Sequence, residues 1–95
     1  MENELEKEIK EVKLKLVKDY ILELTRRITS AELDIGTLEK MEKNEIVGEK
    51  PSAVLKGVNE KVSAEEKINE IKEALERNKT ALEVARAKYE ELKQK

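Results

Sequence analysis

Apolar residues return along this chain in alternating steps of three and four, through four heptads in each of two stretches. In the first, Leu14, Ile21, Ile28 and Ile35 stand seven apart, and Val17, Leu24, Ala31 and Leu38 follow each of them by three residues. In the second, Ala64, Ile68, Ile71, Leu75, Leu82, Ala85, Tyr89 and Leu92 keep the same rhythm, and Asn78 fills the one slot without an apolar side chain. A mean step of about 3.5 residues keeps one seam of a helix turned toward a partner helix. Few folds other than a coiled coil accommodate it.

Residues between the stretches break helices. Asn44, Gly48, Pro51, Gly57 and Asn59 gather within 44–63, whereas 64–94 has neither glycine nor proline and 3–43 has Gly36 alone. The expectation is one all-α domain over residues 1–95: a first helix at about 3–43, a connector at 44–63 and a second helix at about 64–94. Ser63, with Glu66 three residues later, forms a capping box that starts the second helix.

Composition alone leaves disorder open, since 44% of residues are charged and 2% aromatic. The heptads decide instead for helices laced with ion pairs. Glu6–Lys10, Glu11–Lys15, Glu23–Arg27, Glu39–Lys43 and Glu73–Arg77 are spaced i,i+4 with the acid first. That order contributes about 0.2–0.5 kcal/mol per pair and reads as a solvated helix face.

One antiparallel register satisfies every layer of the seam. It sets Leu38 against Ile68, Ile35 against Ile71, Ala31 against Leu75 and Ile28 against Asn78. It continues with Leu24 against Leu82, Ile21 against Ala85, Val17 against Tyr89 and Leu14 against Leu92. Ala31 and Ala85 then each face a large side chain, as dense packing requires. The expected fold is therefore a long antiparallel two-helix hairpin with an irregular connector. Asn78 is the candidate register determinant, because an amide in a coiled-coil core selects its partner.

A second stripe lies outside the seam. Leu5, Ile9, Val12, Leu16 and Tyr20 follow one another at helical spacing, and Leu22 adds to the apolar residues around them. One antiparallel partner cannot cover both faces, and a helix apolar nearly all round is expected to be buried. These six residues are the candidate self-association or partner interface. Dimerisation into a four-helix bundle is the expected means of covering them. In the connector, Ile46, Val47, Pro51, Val54 and Leu55 are a candidate binding loop. A β-hairpin with strands near 45–48 and 53–58 and a short helix starting at Pro51 both suit it, and the reading adopted is irregular with a short helical turn.

No catalytic or metal site is expected, and no cofactor. The chain has no His and no Cys, so the usual zinc, haem and nucleophile–base sets are missing. Its serines have no histidine to activate them. Twenty basic and 22 acidic residues give a net charge of −2 and interleave along the chain, which disfavours nucleic-acid binding. No apolar run approaches the ~18 residues of a membrane span, and the absence of cysteine suits the cytoplasm.

The expected function is a non-enzymatic protein-interaction module: a self-associating adaptor, regulator or small inhibitor of a larger protein. Weak nucleic-acid association is a lesser alternative. The paired heptad helices and the central Glu45-Ile46-Val47-Gly48 stretch also resemble prefoldin subunits in outline, although the connector after Gly48 is longer and carries Pro51. That resemblance implies a molecular chaperone that holds other chains.

Overall fold

A computed structural model describes residues 2–94. Two helices, α1 (Glu2–Leu38) and α2 (Ala64–Gln94), flank in sequence two strands, β1 (Ile46–Pro51) and β2 (Asn59–Ser63). The helical hairpin expected from the heptads is present. By their contacts the residues divide into two compact units: the chain up to Thr29 with the chain from Glu76 onward, and Ser30–Leu75.

In the first unit α1 and α2 run antiparallel. The Lys10 Nζ donates to the carbonyl of Lys93 at 3.4 Å, and Tyr20 shares a groove with Ala81 and Val84. Leu24 is the most enclosed large side chain, at 1% exposure, with Ile28 and Ala85 also buried. Leu14, Val17, Ile21, Asn78, Leu82, Tyr89 and Leu92 are half-buried. Every heptad residue in this unit therefore turns inward, as the spacing predicts. No side-chain polar atom among the described residues is buried without a hydrogen-bond partner, so Asn78 is not a stranded amide with its cost of ~1–3 kcal/mol. The Thr25 and Thr29 hydroxyls, Oγ1, donate to the carbonyls four residues back at 2.8 and 2.9 Å, which suits threonine to exposed helix positions. Of the acid-first pairs, Glu23–Arg27 closes at 3.2 Å.

The second unit corrects two expectations. The first helix does not reach residue 43; α1 ends at Leu38, where its last turns tighten through Lys40 N to Thr37 O and Met41 N to Leu38 O. Nothing in Glu39–Lys43 disfavours a helix. The chain leaves because it is used elsewhere: the carbonyls of Lys43 and Glu45 accept the N–H groups of Glu65 and Ala64, at 3.2 and 2.8 Å. These belong to the first turn of α2, whose amides have no partner within the helix. Ser63 completes the cap, its Oγ accepting from Glu66 N at 3.2 Å and donating to the Glu66 carboxylate at 3.4 Å. The hydroxyl cap expected at Ser63 is thus formed and α2 starts where expected, but the Glu66 carboxylate meets the Ser63 hydroxyl and not its backbone N–H, so the box is half made.

The connector is an antiparallel β-ribbon, neither irregular throughout nor helical. Gly48 pairs with Val62, Glu49 with Lys61, Lys50 with Glu60 and Pro51 with Asn59. Two of these four cross-strand pairs join opposite charges, which favours the register. Pro51 lacks an N–H and sits at the strand end, where none is needed. The turn lies at 52–58, where the β-hairpin alternative placed its second strand. Ser52 organises it: Ser52 N donates to Val58 O at 2.8 Å, and Ser52 Oγ accepts from Val54 N and Leu55 N while donating to Glu60. Gly57 has φ of 80°, a left-handed conformation that disfavours any side chain. The register slips by one residue between Ile46 and Gly48, a bulge at Val47. Val62, Ala64, Ile35 and Leu75 form the buried core of this unit.

Candidate functional site

The structure leaves the stripe on α1 uncovered. Leu5, Ile9, Val12, Leu16 and Tyr20 are all exposed, from 44% at Ile9 to 62% at Leu16. Their spacing of three and four residues keeps them on one side of α1. Leu16 and Tyr20 lie at the level of the half-buried seam residues Val17 and Ile21, so the stripe stands off the seam even beside α2. Leu22 is exposed too but does not join them. Two residues beyond Tyr20 it points about 200° further round the helix, and it stands apart from the interface expected to include it.

Sequence reasoning missed the continuation of this surface onto α2. Val17, Tyr20, Ala81, Val84, Ala85 and Lys88 line a shallow, almost wholly apolar groove between the two helices of the first unit. Val84 is 65% exposed and falls outside the heptad slots, so the seam spacing did not mark it. Ala81 and Ala85 keep the floor low. Lys88 forms the charged rim, with Glu91 Oε1 3.8 Å from its Nζ.

The connector candidates separate into two kinds. Val54, at 86% exposure, and Leu55 lie on the turn, while Ile46 and Pro51 are exposed on β1. Val47 does not belong with them. The bulge leaves it half-buried, where it lines a groove with Thr37, Leu38 and Ile71. Val58, not singled out from sequence, is exposed beside the turn residues. Lys50 reaches from β1 toward Glu66 and Glu70 of α2 at 3.9 and 4.0 Å. These pairs are about half exposed and contribute little individually.

Among the described residues no three His, Cys, Asp or Glu side chains are placed to hold a metal ion. No helix among them is long and apolar enough to cross a membrane. Comparison with protein-family models, with curated proteins and with solved structures gave no match. What this geometry offers chemically is apolar surface: a stripe on α1 that broadens into a groove against α2, and a β-ribbon with an apolar turn.

Proposed function

We propose that this chain is a non-enzymatic protein-interaction module of the cytoplasm, a helical hairpin that self-associates and serves as adaptor, regulator or small inhibitor of a larger protein. The exposed row Leu5–Ile9–Val12–Leu16–Tyr20 carries this reading. Single exposed leucines are ordinary on monomers. A contiguous apolar row running into an apolar groove marks an interaction surface. The test is the mass in solution of the intact chain and of Leu16→Glu. More than one chain per particle, reduced by the substitution, supports the reading. A monomeric intact chain overturns self-association, and a dimer that ignores the substitution moves the interface elsewhere.

A second reading is a prefoldin-like chaperone subunit. The observation favouring it is the antiparallel ribbon of β1 and β2 between two heptad helices. Each strand of a two-stranded ribbon has one unpaired edge able to extend a sheet. Suppression of aggregation of a chemically denatured protein, together with assembly through the ribbon, supports this reading. A tight complex of fixed stoichiometry with one folded target supports the adaptor or inhibitor reading instead.

A further inference from the structure

We infer that the groove between Tyr20 and Val84 receives the N-terminal turns of α1 from a second copy of this chain, the two α1 helices lying antiparallel across a two-fold axis near Val12. This rests on the self-association put forward above and specifies its geometry. The stripe is self-complementary in that orientation. Leu5 falls opposite Tyr20 of the second copy, Ile9 falls opposite Leu16, and Val12 lies beside its own counterpart. All five exposed stripe positions thereby meet an apolar side chain.

Two further observations favour this mode. Specific interfaces bury ~800 Å² per partner, an area that grows with each element added to the contact. The groove widens the contact onto α2, and its floor of Ala81 and Ala85 leaves room for a side chain such as Leu5 to enter. A parallel pairing would set Leu5 on Leu5 and Tyr20 on Tyr20, and the groove would meet no N-terminal side chain. Two charge pairs at the flanks of the stripe suit it as well. In the antiparallel mode Glu8 faces Lys15 of the second copy on one flank. On the other flank, Glu6 approaches Lys88 at the rim of the groove. Opposite charges at such flanks set partner and orientation in helical assemblies.

The experiment uses the full chain, which has no cysteine of its own, with single cysteines introduced and oxidised under native conditions. Val12→Cys is expected to give a disulfide-linked dimer. Leu5→Cys is expected not to link to itself but to link to Val84→Cys when the two are mixed. Val84→Glu, at an exposed position that leaves the fold intact, is expected to weaken the dimer on the order of tenfold or more. Self-linking of Leu5→Cys, or a dimer indifferent to Val84→Glu, overturns this mode and leaves self-association standing. A chain that is monomeric before any substitution overturns both.

Discussion

The backbone N–H of Ala64 donates to the carbonyl oxygen of Glu45 at 2.8 Å. The first amide of α2 is thus satisfied by a residue that precedes β1, so the start of the helix and the entry to the ribbon are fixed by the same bond. Glu65 N repeats the relationship with Lys43. Four N-terminal amides of a helix need partners from outside it. Here three of those in α2 have them, from Lys43, Glu45 and the Ser63 hydroxyl.

Ser63→Ala removes the side-chain member of that set. The expected loss is about 1 kcal/mol, measured as a fall in the urea midpoint. Ser63→Thr keeps the hydroxyl at the cap and is expected to retain most of the stability. Equal losses in the two variants would show that the hydroxyl is not acting as the cap.

Leu24→Ala and Leu33→Ala make the same chemical change at 1% and 68% exposure. The first is expected to cost about 2–5 kcal/mol, the range for a core leucine. The second is expected to stay within ~0.5 kcal/mol. Equilibrium unfolding of both variants measures the difference, and similar values would contradict the placement of the seam.

The two glycines Gly36 and Gly57 are expected to respond in opposite directions to alanine. A Cβ at Gly36 meets nothing within 4 Å and the residue is helical, so Gly36→Ala is expected to stabilise by up to about 1 kcal/mol. Gly57 holds φ of 80°, and Gly57→Ala is expected to destabilise by about 1 kcal/mol although space is open there too. Thermal midpoints moving apart in this way are the check.

A chain that self-associates through α1 has a thermal midpoint that rises with protein concentration. The intact chain is expected to show this rise and Leu16→Glu to lose it, as measured by circular dichroism across a hundredfold range of about 1 to 100 µM. A flat midpoint for the intact chain would speak against a dimer coupled to folding.

The seam was legible because helix geometry imposes its period locally. Leu24, Ile28, Ile35, Leu75 and Ala85 could each be placed by counting, and each is buried. The ribbon was not legible in the same way. Asn59-Glu60-Lys61-Val62-Ser63 holds a single strong β-former, and its extended conformation depends on pairing with Ile46–Pro51, across the turn. The early end of α1 was hidden for a related reason. Glu39–Lys43 is a good helix sequence, and what stops it is the demand of α2 for carbonyl partners. At the candidate interface, Leu5 to Tyr20 were visible as a stripe. Val84 was not, because its meaning comes from Tyr20 on the other helix.

The bulge at Val47 counts residues in twos. Side chains along a strand alternate between faces, so one extra residue exchanges inside and outside for whatever lies on one side of it. Ile46 is consequently exposed while Val47 is half-buried against Leu38 and Ile71. Removing one residue here would turn Ile46 inward and take Val47 away, whereas removing two would keep the faces in phase. Length changes in this part of the chain are therefore constrained by parity more than by size.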